Sequence, residues 1–187
     1  MRIRNYIAIS LCFLSFTATA QYTLQGNAVS VGGSCYQLTD ALPAQVGAVW
    51  YDEAIDLEQP FDVQFKMNFG DNQGNGSSAN PGGDGMMFVM QTIGPSAIGS
   101  LGQGMGFQGL LPSLGIEFDT YLNPDVGDLL DDHIGIISDG IVDHTAPTAI
   151  AGPVTATSIG ADIEDGLDHA VQITWDPNTQ ELNVYFD

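Results

Sequence analysis

The sequence predicts an all-β domain built as a sandwich or a barrel. Apolar residues recur with a period of two, and no stretch has the 3.6-residue period of an amphipathic helix. Turns rich in Gly and Pro separate the short apolar segments, as in proteins made of many strands. The 187 residues are enough for a single domain with one sizeable core.

The strands can be placed from this alternation. Residues 61–69 carry an apolar side chain at every odd position, which is typical of a strand with one wet face. Residues 85–91 contain a continuous apolar run, which predicts a strand buried on both faces. Residues 139–169 can be placed only as loops and short strands. Further strands are predicted at 48–50, 114–121 and 133–137, with a hairpin at 170–175 and 182–186.

The first twenty residues are typical of a secretory signal peptide. Arg2 and Arg4 precede an apolar run at residues 7–16, and small residues at 18–20 offer a cleavage site. The run is too short to span a bilayer comfortably, which disfavours the alternative of a membrane anchor. We therefore expect a signal peptide at 1–20, one domain at 21–187, and a secreted or cell-surface protein without membrane insertion.

The charge of this domain excludes several partners. Beyond residue 20, Lys66 is the sole basic residue against 23 acidic ones, so neither nucleic acid nor an anionic membrane is expected as a partner. The acidic residues either form a solvated surface or include cation ligands. Cys35 is the one cysteine left, and it is either a buried free thiol or paired outside this chain. Because the chain ends in or at a strand, we expect it to be truncated at its C-terminus.

Residues 114–136 hold the most informative cluster of acidic residues. Strand alternation places Glu117 and Asp119 on one face, roughly 6.6 Å apart along the strand. With one lysine in the domain they have few ion-pair partners, so their repulsion favours a bound cation over a solvated acidic loop. Oxygen ligands suit Ca²⁺, and a site that includes the His133 imidazole suits a transition metal such as Mn²⁺.

This segment resembles the L-type (legume-like) lectins, in particular their secreted bacterial members. The family pattern is E-F-D-T, an aromatic residue, an Asn, and an Asp five residues before H-I-G-I. The resemblance implies a concanavalin A-like jelly-roll β-sandwich with non-catalytic carbohydrate binding. The matching positions are Glu117, Asp119, Tyr121, Asn123, Asp128 and His133.

The resemblance also implies a role for each of these residues. Two sets of ligands share Asp119 and Asp128. The set for the transition metal, taken as Mn²⁺, is Glu117, Asp119, Asp128 and His133. The set for Ca²⁺ is Asp119, the backbone carbonyl of Tyr121, Asn123 and Asp128.

The sugar site is implied in the same way. The Gly83-Asp84-Gly85 sequence is similar to the family's Ala-Asp-Gly, in which the Asp accepts hydrogen bonds from sugar hydroxyls and follows a cis peptide. Gly83 in place of Ala is a mild departure. The backbone N–H of Gly106 is expected to meet the sugar, Asn123 to bind both calcium and sugar, and Tyr121 to stack on the sugar ring.

Two other functions are weighed against a lectin. A glycoside hydrolase on the same sandwich would carry E-x-D-x-x-E, but the third acid is replaced by Leu122, so no catalytic residue is assigned and an enzyme is not expected. A structural or adhesive module would keep calcium without binding sugar, and Asp84 argues against that. A homodimer and a place in a larger surface adhesin both stay open.

The other polar residues receive plainer interpretations. We expect His144 and His169 to be surface or strand-end histidines. Asp131 and Asp132 are expected to be solvated. The tryptophans Trp50 and Trp175 lie in apolar strands and are expected in the core rather than at a sugar site.

Overall fold

The computed structural model describes residues 21–71, 82–158 and 162–187. The expected signal peptide at 1–20 lies outside them. The described residues form a β-sandwich, and their helical segments are two single 3-10 turns, at Gly102–Gly104 and Pro124–Val126. No helix in these three ranges has the length and apolarity needed to cross a bilayer.

The strands follow the predicted alternation. They are β1 Tyr22–Gly26, β2 Val29–Gly32, β3 Cys35–Gln37, β4 Gly47–Tyr51, β5 Phe61–Met67, β6 Gly85–Gln91, β7 Ser113–Asp119, β8 His133–Ser138, β9 Ala149–Thr155, β10 His169–Asp176 and β11 Glu181–Phe186. Strand β5 alternates between exposed and more buried residues, as predicted. Strand β6 is half-buried at every residue, which falls short of the burial predicted on both faces.

Two antiparallel sheets form the body of the sandwich. One has four strands in the order β6-β7-β8-β9, and the other has three in the order β11-β10-β5. The hairpin of β10 and β11 is the predicted one, with Trp175 opposite Leu182. The pairs β1–β4 and β2–β3 add smaller two-stranded sheets.

The main core lies between the two larger sheets. Ile116 and Phe118 of β7 pack with Val171 and Ile173 of β10, and all of them are almost fully buried. The alternation that points these β7 residues inward turns Glu117 and Asp119 to the opposite face. The main core therefore orients the acidic pair.

A second core lies on that opposite face. Phe107, Ile137 and Val142 form a buried cluster that joins the glycine-rich loop, strand β8 and the loop after β8. Phe107 and Ile137 are fully buried. This cluster anchors two of the loops that surround the acidic pair.

Three residues outside the sheets' main core also bear on the sequence interpretation. Trp50 and Trp175 are half-buried, and each indole N–H donates to a backbone carbonyl, of Ala97 at 2.7 Å and of Leu57 at 2.8 Å. Cys35 is exposed, so the alternative of a buried thiol is wrong.

Candidate functional site

The site starts from the pairing of β7 with β8. Asp119 pairs with His133, and Glu117 pairs with Gly135 one step further along. Glu117, Asp119 and His133 are at most 3% exposed. Two carboxylates and an imidazole thus lie together on one buried face of the sheet formed by β7 and β8.

The loop after β7 adds a third carboxylate. The Oδ1 of Asp128 lies 3.7 Å from the Nε2 of His133. The ligand atoms of Asp119, Asp128 and His133 all lie within 4.8 Å of one another. The structure therefore brings together the residues of the transition-metal set that the resemblance implied, with Glu117 grouped beside them around His133.

His144 joins the same cluster, which corrects its assignment as a surface or strand-end residue. Its side chain is 2% exposed, and its Nε2 lies 2.7 Å from the Oε1 of Glu117 and 3.6 Å from the Oδ1 of Asp128. The ligand atoms of Glu117, His133 and His144 form a second group within 4.8 Å. In the sequence, the only signal for His144 is that it is a histidine. It lies in a loop, where no periodicity predicts the direction of a side chain.

Backbone hydrogen bonds hold the ligands in place. The Tyr121 N–H donates to the Oδ1 of Asp119 at 2.7 Å, and the Asn123 N–H donates to the Oδ2 of Asp128 at 2.6 Å. The Nδ1 of His133 lies 3.2 Å from the carbonyl oxygen of Asp131, so a proton there leaves Nε2 as the ligand atom. Such outer contacts orient metal ligands in proteins.

Several buried polar atoms here make no hydrogen bond to the described residues. Buried polar groups are normally paired, because an unpaired one costs about 1–3 kcal/mol. Glu117, His133 and His144 are among the residues whose ligand atoms group within 4.8 Å of one another, so the residues present fit bound cations. The unpaired atoms are Glu117 Oε1, Asn123 Oδ1, His133 Nε2, and both ring nitrogens of His144.

Burial also controls the ionisation of the ligands. Burial raises the pKa of Asp119 to about 9, although the hydrogen bond from the Tyr121 N–H acts in the opposite direction and lowers the pKa. Burial also raises the pKa of Asp128 to about 6 and lowers the pKa of His133. Contact with the Glu117 carboxylate raises the pKa of His144 despite burial. The protein alone disfavours the ionised forms of Asp119 and Asp128, and a divalent cation would favour them.

Asp84 lies next to this cluster. The peptide between Gly83 and Asp84 is cis, as the resemblance implied. The carbonyl oxygen of Asp84 accepts the Thr120 N–H at 2.9 Å. Gly83 has a φ of +132°, and a Cβ at this position would lie 2.7 Å from the Cβ of Tyr121. Glycine is thus required by this backbone, which makes it more than a mild departure from Ala.

The glycine-rich loop uses the Gly106 N–H for its own hydrogen bonding and places Gly102 near Asp84. The Gly106 N–H donates to the carbonyl oxygen of Ser100 at 2.8 Å, so it is used within the loop. Gly102 is the loop glycine that faces the acid, because its Cβ would lie 3.9 Å from the Oδ2 of Asp84. The contact of the Gly106 N–H with the sugar stays a prediction.

Three other polar residues were interpreted from the sequence. Asp132 is 4% exposed, and its Oδ2 accepts the Ile163 N–H at 2.7 Å, so its assignment as solvated is wrong. Asp131 is exposed, as predicted. His169 is the first residue of β10, as a strand-end histidine should be.

The chain belongs to the legume lectin family. The family model for the legume lectin β-barrel domain of the L-type lectins matches residues 15–187. L-type lectin-domain containing receptor kinases I.10 and VIII.1 of Arabidopsis thaliana are 26% and 28% identical over 94% and 96% of this chain. Those matches cover 29% and 26% of the kinases, so the chain spans less than a third of the length of these curated relatives.

Solved legume lectins share the fold. Peanut lectin with a 9-mer peptide aligns with a TM-score of 0.59 at 20% identity, over 89% of this chain and 75% of that one. Basic winged bean lectin with Tn-antigen gives 0.61 at 20% identity, over 89% and 74%. The lectin of Bauhinia forficata in complex with GalNAc gives 0.53 at 16% identity, over 89% and 72%. The fold is the concanavalin A-like β-sandwich.

Proposed function

We propose that the chain is a secreted, non-catalytic lectin domain whose binding of glycans depends on Ca²⁺ and on a transition metal such as Mn²⁺. The observation that carries this is the direct connection between Asp84 and the acidic cluster. The backbone carbonyl of Asp84 accepts a hydrogen bond of 2.9 Å from the N–H of Thr120, the residue that follows Asp119. A sugar-binding carboxylate and a metal-binding one are therefore positioned by the same short segment.

The two cations would be held by two sets of ligands that share Asp119 and Asp128. Asp119, Asn123, Asp128 and the Tyr121 carbonyl would hold Ca²⁺, and the resemblance assigns Glu117, Asp119, Asp128 and His133 to the transition metal. The cations supply no chemistry beyond fixing the loop. With the loop fixed, Asp84, Asn123 and Tyr121 converge before the sugar arrives, which lowers the ordering cost of binding.

The carboxyl side chain of Asp84 is the group we assign to the sugar. It is half-buried, and burial raises its pKa. A Cβ built at Gly102 would lie 3.9 Å from the Oδ2 of Asp84, so the loop around Gly102 is close to this carboxylate. We assign to this loop the backbone N–H groups that would bind the sugar. Two of the structural relatives were solved with GalNAc or Tn-antigen, which supports a carbohydrate as the partner class.

The geometry counts against a glycoside hydrolase. Retaining hydrolases need two carboxyl groups about 5–5.5 Å apart that flank a sugar bond. Glu117 and Asp119 are at most 3% exposed, and Glu117 contacts His144. Position 122 holds a leucine where the hydrolase pattern needs its third acid.

Secretion and assembly belong to the proposal as well. The signal-peptide pattern at residues 1–20 supports export, to the medium or to the cell surface. A homodimer and a larger surface adhesin are both compatible with a domain that spans less than a third of its curated relatives.

Binding to a broad glycan array tests the proposal, with Ca²⁺ and Mn²⁺ present and again after EDTA. We expect binding to a defined set of glycans that EDTA abolishes. Asp84→Ala should abolish this binding and leave Ca²⁺ uptake intact, whereas Asp131→Ala, the same change at an exposed aspartate, should retain both. Ca²⁺ uptake without glycan binding by the wild-type protein would indicate a structural module instead.

A further inference from the structure

We infer that His144 is itself a ligand of the transition metal, so that this site holds the ion with two imidazoles. The inference rests on the proposed metal-dependent function and goes beyond the ligand set that the resemblance implies. The ligands are then Glu117, Asp119, Asp128, His133 and His144, of which Asp119 and Asp128 are shared with Ca²⁺.

The position of the His144 ring supports this role. Its Nε2 lies 2.7 Å from the Oε1 of Glu117 and 3.6 Å from the Oδ1 of Asp128, at 2% side-chain exposure. The His144 Nε2 and the Glu117 Oε1 are at ion-pair distance, and neither atom has another hydrogen-bond partner among the described residues. The ring centroid is 5.4 Å from that of His133, with the planes at 68°. Two such imidazoles can present nitrogens to one ion.

The backbone around His144 places it there. Its N–H donates to the carbonyl oxygen of Val126 at 2.8 Å, which ties the loop after β8 to the loop that carries Asp128. Val142, two residues earlier, is buried in the second core. The Oδ1 of Asp143 accepts the N–H and the hydroxyl of Thr145, at 2.7 and 2.6 Å, which shapes the turn around the histidine.

Strand β8 leaves room for this ring. A Cβ at Gly135 would lie 2.8 Å from the Cε1 of His144 and would also collide with the carboxylate of Glu117. Gly135 is a buried residue in the middle of β8, beside an irregularity in the pairing with β9, and it has no positive φ to require glycine. Its missing side chain is explained by the two ligands that occupy that space.

A second imidazole changes which ion the site prefers. Carboxylates and water suit Mn²⁺, whereas imidazole suits Zn²⁺, Ni²⁺ and Cu²⁺, and affinities at such sites generally rise from Mn²⁺ towards these ions. The site should therefore bind Zn²⁺ more tightly than Mn²⁺, and His144 should supply much of that preference. Calcium, held by oxygen atoms, should not depend on this histidine.

Calorimetric titration of the metal-stripped full chain with Zn²⁺ and with Mn²⁺, in excess Ca²⁺, tests the inference. Loss of a partner that only orients a ligand costs about 10–100-fold in affinity, so His144→Ser should weaken Zn²⁺ binding at least tenfold. The His144→Ser variant should prefer Zn²⁺ over Mn²⁺ less strongly than the wild-type protein, while its affinity for Ca²⁺ stays unchanged. His169→Gln, a histidine change outside the site, should leave Zn²⁺ binding intact.

The wild-type protein supplies a second readout that does not depend on the folding of a variant. The ring ¹⁵N resonances of His144 should shift on addition of one equivalent of Zn²⁺ together with those of His133. Unchanged His144 resonances, or unchanged Zn²⁺ affinity in His144→Ser, would overturn the inference and leave the lectin proposal standing. Uptake of neither Ca²⁺ nor Zn²⁺ by the wild-type protein would overturn the metal-dependent function itself.

Discussion

Replacing Asp119 by Asn should have opposite effects on stability with and without cations. Asp119 is 3% exposed and is shared by both proposed ligand sets. In chelator, Asp119→Asn removes a buried carboxyl group that must take up a proton on folding at neutral pH, while Asn can still accept the Tyr121 N–H. In saturating Ca²⁺, the same change removes a ligand, so the variant should become the less stable protein.

The size of the first effect follows from the raised pKa. Burial raises the pKa of Asp119 from 3.8 to about 9, so the folded metal-free protein holds a proton at pH 7 that the unfolded chain releases. Because one pKa unit is about 1.36 kcal/mol, this proton uptake lowers the free energy of unfolding at pH 7 by at most about 4 kcal/mol relative to acidic pH. The stability of the metal-free protein is therefore unaffected by Asp119 below pH 4, and it falls progressively as the pH rises from 4 to 9.

Thermal unfolding from pH 4 to pH 9 measures both effects. In EDTA, the stability of the wild-type protein should fall with rising pH more steeply than that of Asp119→Asn, and the variant should melt higher at pH 7. In Ca²⁺ at well over 1,000 times its Kd the order should reverse, because the bound ion then adds more than about 4.1 kcal/mol, which exceeds the cost at Asp119. A variant that melts lower than wild type in EDTA at pH 7 would refute the reasoning.

Three further predictions follow from the same contacts. Transfer of the wild-type protein from excess Ca²⁺ to EDTA should lower its Tm by about 5–10 °C per ion lost, as measured by calorimetry, and a Tm insensitive to EDTA would contradict the metal site. Gly135→Ala should displace Glu117 and His144, and a Zn²⁺ titration should show weaker binding than in wild type; wild-type affinity would contradict the close contacts seen at Gly135. Asp132→Ala should leave the buried Ile163 N–H unpaired and lower the free energy of unfolding by about 1–3 kcal/mol in urea, whereas a solvated Asp132 would show almost no change.

Much of the fold could be predicted from the alternation of apolar residues. The hairpin of β10 and β11 and the strands β5, β7 and β8 all lie within a few residues of the predicted ranges. Period-two patterning is local, so it survives without knowledge of the partners of each strand. The sequence does not predict the bounds of strand β9, because Ala149–Thr155 contains Gly and Pro, which weaken the strand pattern.

The residues of the site also fall into those that a local motif predicts and those that depend on long-range contacts. Glu117, Asp119, Asn123, Asp128 and His133 share one stretch of chain, so a short motif could identify them. Assignments that needed a long-range contact failed. Asp132 was assigned to solvent because its partner, the Ile163 N–H, lies 31 residues away in sequence.

By itself, the sequence determined the strand alternation, the inward face of β7 and the composition of the acidic motif. These follow from local periodicity and residue chemistry. Only the tertiary structure decided that His144 enters the cluster and that Gly102, rather than Gly106, faces Asp84. Loops carry no periodicity, so their side chains are positioned by distant contacts, here the second core and the carbonyl of Val126.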